Sequence, residues 1–148
     1  LGRLATVDAI ICNNLKSLLP ASAPTFDMDL RPGSFYRLDD PAQSCSADSL
    51  KGRGPLHALA GIGNPGRFFN TLESLGLRCQ NHPFPDHHRY SAADLAFARN
   101  GILLMTEKDA VKCTGLTAGE TWVLPVDAEL SPALIELILE KLRGRQAA

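Results

Sequence analysis

No apolar run in this sequence approaches the ~20 residues that cross a bilayer. Charge of one sign is also missing. The 15 Lys and Arg stand against 16 Asp and Glu, a formal net charge of −1, so no basic field advertises nucleic acid. The four cysteines, Cys12, Cys45, Cys79 and Cys113, form no CxxC pair. That removes metal-ligand spacing and favours thiols of a reducing compartment over a disulfide framework. Neither a basic segment leading into an apolar one nor a GxxxxGK[ST] phosphate loop occurs. What is present is globular: 148 residues, 45% hydrophobic and 21% charged, enough for one core-bearing domain over 1–148. The chain opens at Leu1 directly into an apolar strand, so we read it as a portion of something longer.

Short apolar runs alternate with helical spacing. Residues 7–12 predict a buried strand and 15–19 a helical turn stopped by Pro20. Residues 25–30 alternate as a half-exposed strand, with 34–38 as its hairpin partner across Pro32-Gly33. The polar, small-residue stretch 39–53 predicts a flexible loop. A strand over 56–62 runs into a glycine-rich turn and a helix with Phe68, Phe69, Leu72 and Leu75 at helical spacing, ended by Gly76. Residues 77–84 follow as a weak strand, then a helix capped by Ser91, a wholly apolar strand over 102–105, and a short helix over 107–112 capped by Thr106. Residues 121–126 are the last predicted strand. Ser131-Pro132 then opens a helix with Leu134, Ile135, Ile138 and Leu142 on one core-facing stripe. The fold class is α/β, a mostly parallel sheet with flanking helices. Ligands of such sheets bind beyond the carboxyl ends of the strands. That points to the turn after Ile62, the loop after Phe84 and the segment 106–112.

The loop Phe84-Pro85-Asp86-His87-His88-Arg89-Tyr90 carries the densest chemistry. A histidine titrates near neutral pH and accepts a hydroxyl proton, and a carboxylate beside it fixes its tautomer. The plain alternative is a polar surface turn. A metal site of the phosphoesterase kind needs further aspartates at strand ends, whereas Asp8 and Asp27 fall within strands. The stretch Gly61-Ile62-Gly63-Asn64-Pro65-Gly66 fits GxGxxG between strand and helix. Asp86 lies where a ribose-binding acid is sought, yet it follows Pro85 in a polar loop. A tight turn, with amides and Arg67 able to meet an anion, is the competing reading. Lys108 and Lys112 share a helix face, open either to phosphates or to solvent and ion pairs.

Several segments, in this order and at these gaps, resemble the tetraacyldisaccharide 4′-kinase family: His57-Ala58-Leu59-Ala60-Gly61-Ile62-Gly63-Asn64-Pro65, Arg67-Phe68-Phe69, Phe84-Pro85-Asp86-His87-His88, Met105-Thr106-Glu107-Lys108-Asp109-Ala110-Val111-Lys112-Cys113 and Leu124-Pro125-Val126-Asp127-Ala128. The resemblance implies a two-lobed, P-loop-kinase-like architecture. It implies transfer of the γ-phosphate of ATP, with Mg²⁺, to the 4′-hydroxyl of a tetraacylated glucosamine disaccharide. The step belongs to lipid A synthesis at the cytoplasmic face of the inner membrane of Gram-negative bacteria. The lipid A disaccharide precursor and the inner-membrane surface are the implied partners. This sequence lacks the phosphate loop and the acidic metal motif of the family's N-terminal half, so the resemblance covers the C-terminal portion. The nucleotide and Mg²⁺ ligands are expected outside residues 1–148, and this portion is expected to be inactive alone. The family's histidine, which activates the sugar hydroxyl with an aspartate of the other lobe, carries to His87, with Asp86 as its support. Asn64, Arg67, His88, Lys108 and Lys112 are the corresponding candidates for the substrate cleft. The competing expectation is a non-catalytic α/β domain that binds a phosphorylated ligand or a protein partner.

Overall fold

Alternate side chains of an extended segment point to opposite faces, so a strand that is apolar throughout must be covered on both. The computed structural model describes residues 6–13, 23–117 and 119–145. The helical turn expected over 15–19 lies outside them. In chain order the first elements are β1 (Ile10–Asn13), β2 (Thr25–Pro32), β3 (Phe35–Arg37), β4 (Ser44–Cys45), α1 (Ala47–Leu50), β5 (Leu56–Ala60) and α2 (Pro65–Ser74). Then come β6 (Gln80–Pro83), β7 (Ile102–Thr106), α3 (Glu107–Cys113), β8 (Thr121–Leu124), β9 (Val126–Leu130) and α4 (Pro132–Arg145). They fall into two compact units, Pro32–Pro125 and Leu1–Arg31 with Val126–Ala148, where the sequence reading takes 1–148 as one domain.

The Pro32–Pro125 unit is a six-stranded sheet in the order β4-β3-β8-β7-β5-β6. The neighbours β6/β5, β5/β7 and β7/β8 are parallel, and β3 runs antiparallel to β8 and β4. The alternation works as expected. Leu56, Ala58, Ala60, Ile102, Leu104, Trp122 and Leu124 face one side, with Phe68 and Leu72 of α2. Leu59, Leu103, Met105 and Val123 face the other, with Ala110 and Cys113 of α3. Asn64 caps α2 by accepting the Arg67 N–H at 3.2 Å. Gly76, at φ +79°, closes it, donating to Glu73 O at 2.8 Å while Leu77 donates to Leu72 O at 3.0 Å. That is the paired closure by which a left-handed glycine satisfies the last carbonyls of a helix.

Three local expectations are revised. β3 does not return along β2 as a hairpin: it pairs with β8 and β4, and β2 lies in another sheet. Gly33 passes the chain on, donating to Pro125 O at 3.0 Å. The stretch 39–53 is not simply a loop. It contains β4 and the one-turn α1, capped by Ser46 and anchored by the fully buried Leu50. After Ser91 there is no α-helix but turns and a 3₁₀ turn over Ala96–Ala98. Leu95 and Ala98, three residues apart, reach the core, which a three-residue turn satisfies.

The smaller unit holds the sheet β1-β2-β9, with β1 and β2 parallel. β9 is a strand that the sequence reading did not separate from the run 121–126. Pro125 divides them, since it cannot donate to a ladder. α4 buries Leu134 and half-buries Leu137. Ile135, Ile138 and Leu142 remain exposed, contrary to the core-facing stripe expected for them, and so does Leu139. The helix carries two apolar stripes, and the one through Leu134 and Leu137 is inward. No helix among the described residues is long and apolar enough to cross a membrane.

Candidate functional site

The central neighbours β5 and β7 define where a site can form. From β5 the chain goes to β6 on one flank, then passes to β7 on the other. Such a reversal opens a crevice at the carboxyl ends of the strands. Three segments meet there: Gly61 after β5, the loop 84–90 after β6, and Thr106 leading from β7 into α3.

The loop is tied at its start by Phe84 N–H donating to Ala60 O at 2.9 Å. His88 N–H closes a turn onto Pro85 O at 3.1 Å. Inside this turn His87 has φ 60°, the only non-glycine positive φ among the described residues. A left-handed non-glycine costs about 1–3 kcal/mol, so its surroundings must hold it. The Asp86 carboxylate does part of this, accepting the His87 N–H on Oδ1 at 3.0 Å. Its Oδ2 stands 3.7 Å from His87 Nε2, an ion pair when the imidazole is charged. Gly63 lies beside that carboxylate: a Cβ there would stand in ordinary contact, 3.6 Å from Asp86 Oδ2.

The two histidines are used differently. The His87 side chain is 83% exposed, whereas that of His88 is 27% exposed. His88 packs with Phe84 and Tyr90, at ring separations of 4.8 and 4.9 Å. Its Nε2 is shut from solvent and has no hydrogen-bond partner among the described residues, the Asp94 carboxylate being 3.6 Å away. Asp94 sits below the usual carboxylate range, chiefly because Ser91 donates to it through its hydroxyl and its amide. The His87 imidazole therefore stands open to solvent, and that of His88 is packed within the loop.

Of the remaining candidates, Asn64 is spent on capping α2 and Arg67 is half-buried in its first turn. Lys108 is exposed on α3. Lys112 is half-buried: its Nζ lies 3.2 Å from Asp109 Oδ1 and 5.6 Å from the centre of the Tyr90 ring. Four residues apart on one helix, the two lysines share its face, but Lys112 is tied to Asp109 while Lys108 is exposed. The four cysteines are free thiols. Burial pushes Cys79 up to about 11 and Cys113 up to about 12, which makes poor nucleophiles.

Sequence reasoning quoted Asp109, Tyr90 and Gly61 within their motifs but gave none of them a part in the site. Asp109 is fully buried and accepts from groups on all three segments. Its local signal was the pattern Thr106-x-x-Asp109, a helix-capping box.

A family model described as LpxK, Tetraacyldisaccharide-1-P 4'-kinase, matches residues 1–143. The Tetraacyldisaccharide 4'-kinase of Dechloromonas aromatica (strain RCB) is 72% identical over 148 residues, 99% of this chain and 44% of that protein. That of Methylobacillus flagellatus is 44% identical over 141 residues, 95% of this chain and 41% of that protein. The chain thus spans less than half the length of these relatives. A crystal structure of the "apo" form of LpxK from Aquifex aeolicus in complex with ATP superposes with a TM-score of 0.62 at 27% identity, covering 91% of this chain and 42% of that one. On these matches, the chain belongs to the tetraacyldisaccharide-1-P 4'-kinase family.

Proposed function

We propose that this chain is the substrate-side portion of an ATP-dependent lipid kinase that phosphorylates the 4′-hydroxyl of a tetraacyldisaccharide 1-phosphate. The reading is carried by His87: an exposed imidazole on a constrained turn at the carboxyl ends of parallel strands, backed by Asp86 at 3.7 Å. In phosphoryl transfer the protein mainly positions groups and neutralises charge, and a base orients the attacking hydroxyl. His87 accepts the 4′-hydroxyl proton, and Asp86 stabilises the imidazolium that results. Lys108 and Arg67 supply positive charge for the substrate phosphate, while Asn64 shapes the turn that presents Arg67. His88 supports the loop.

ATP is the phosphoryl donor, and Mg²⁺ screens the charge of its phosphates when bound. The fit of a metal to this chain is poor: among the described residues no three His, Cys, Asp or Glu side chains come together to hold one. With no GxxxxGK[ST] in the sequence, the nucleotide and the metal belong to the part of the family's length that lies beyond these residues. An acylated substrate places the whole protein at the inner-membrane surface of a Gram-negative bacterium, on the cytoplasmic side where ATP is available.

The test is His87→Ala in the full-length protein. Turnover should fall by about a hundredfold or more with KM little changed, as for loss of a general base. Unchanged turnover removes His87 from the mechanism and favours a non-catalytic domain that binds a phosphorylated ligand or a protein partner. The isolated chain with ATP, Mg²⁺ and the lipid should give no product, and detectable 4′-phosphorylation would contradict the assignment of the nucleotide machinery elsewhere.

A further inference from the structure

A carboxylate out of contact with water is costly unless donors surround it. Asp109 is such a group, and its donors come from unusually separated places. Oδ2 accepts the Gly61 N–H at 3.1 Å and the Thr106 hydroxyl at 2.7 Å. Oδ1 accepts the Tyr90 hydroxyl at 2.9 Å and Lys112 Nζ at 3.2 Å. One side chain therefore joins the ends of β5 and β7, the body of α3 and the far end of the loop that carries His87.

The fit is close. A Cβ at Gly61 would run into the Tyr90 hydroxyl oxygen and lie 3.3 Å from both Asp109 Oδ1 and Pro85 O. The Tyr90 ring meets Phe84 edge-on at 5.2 Å and His88 at 4.9 Å. Phe84 is fixed to Ala60 at the loop's start, so the seven-residue loop is clamped at both ends. Between the clamps the turn has to hold His87 in a strained backbone conformation. Burial and the neighbouring Asp109 raise the Tyr90 pKa, so the phenol keeps the proton it donates.

We infer that Asp109 is a positioning residue that holds His87 at its reactive geometry by anchoring Tyr90, the far post of the loop. The inference rests on the reading of His87 as proton acceptor. No proton moves through Asp109: it is fully buried and both of its oxygens are taken up by donors of this chain. A displaced base loses effective molarity in the reactive arrangement while substrate still binds.

The test uses the full-length protein and four variants: Tyr90→Phe, Asp109→Asn, His87→Ala, and the double variant His87→Ala/Tyr90→Phe. Tyr90→Phe keeps the ring packing and deletes one hydrogen bond, so it is the variant expected to fold. Its kcat should fall about tenfold, with KM within about twofold of the parent. Asp109→Asn should lower kcat further in the same direction. In the His87→Ala background Tyr90→Phe should cost nothing more, because the group it positions is gone. An unchanged kcat in Tyr90→Phe overturns the inference. So does an equal fall in both backgrounds, the mark of a general structural role. If His87→Ala alone leaves turnover intact, the proposed function fails, and the clamp as a device for His87 fails with it. If His87→Ala abolishes turnover and Tyr90→Phe does not lower it, the clamp alone is wrong.

Discussion

In the 32–125 unit Leu104, Met105 and Val123 are wholly shut from solvent, whereas in the other unit Ile11, Ile138 and Leu142 stay 48%, 46% and 56% exposed. The contrast has a geometric source. Six strands covered on both faces give α2 and α3 a complete surface to pack on. Three strands and one helix do not, and among the described residues of the smaller unit only Ile10, Cys12 and Leu134 are buried apolar groups. Full burial of a large apolar side chain stabilises by about 1.5–3 kcal/mol. The candidate site rests on the unit that collects this many times over. A strained turn such as that at His87 can persist only where the surroundings over-determine it.

The largest expected effect comes from breaking that better-covered unit. Leu104 lies in central β7, fully buried against the α2 side of the sheet. Leu104→Ala should lower stability by about 2–5 kcal/mol, from lost transfer energy plus the cavity left behind. Urea denaturation followed by Trp122 fluorescence measures it, since Trp122 shares that cluster. A loss below about 1 kcal/mol would mean that the unit does not unfold as one cooperative body.

A smaller, pH-dependent effect comes from the same unit. His57 Nδ1 lies 3.1 Å from His82 Nε2, and the His82 ring stacks on Phe97 at 3.6 Å. Burial first, and His57 second, lower the His82 pKa from its ordinary value of 6.5. The unfolded chain therefore takes up a proton more readily than the folded one. The stabilisation is complete above pH 6.5 and is lost as the pH falls from there through the depressed folded value. Thermal melts between pH 7.5 and 5.5 should show Tm falling, and His82→Gln should flatten the slope. An equal slope in both proteins would assign the effect elsewhere. The carboxylates held low, Asp39, Asp48 and Asp94, lose their contribution as the pH falls through and below their ordinary 3.8, so the melts between pH 7.5 and 5.5 report on His82 rather than on them.

These contrasts also explain what was legible in the sequence. β5, β7 and β8 announce themselves because both faces must be apolar. β6 (Gln-Asn-His-Pro) reads only as a weak strand within 77–84, being an edge strand held by its backbone ladder to β5. The Phe84–Tyr90 loop could be located from its position after a strand and from its Pro-Asp turn chemistry. The different settings of His87 and His88 could not, since they depend on a φ of 60° and on which ring joins Phe84 and Tyr90. Asp109 was the hardest to read. Its capping role is local, but its bonds to Gly61 and Tyr90 reach 48 and 19 residues back along the chain. The helical periodicity of α4 was visible, yet periodicity alone does not say which of two apolar stripes is covered.

That last ambiguity supplies a paired test, and its Ile138 member is the smallest expected effect. Leu134 and Ile138 lie about one turn apart on α4, with the same hydrophobic character, and are 2% and 46% exposed. If burial rather than composition sets stability, the two should respond unequally to the same substitution. Leu134→Ala should destabilise the smaller unit by about 2–5 kcal/mol and Ile138→Ala by no more than about 0.5 kcal/mol. The unfolding of this unit can be followed through hydrogen exchange of β1 and β2 amides, so that it is not masked by the larger unit. Comparable losses at both positions would show that the Ile135–Leu142 stripe is covered when the isolated chain is in solution, and the contrast between the two units would then disappear.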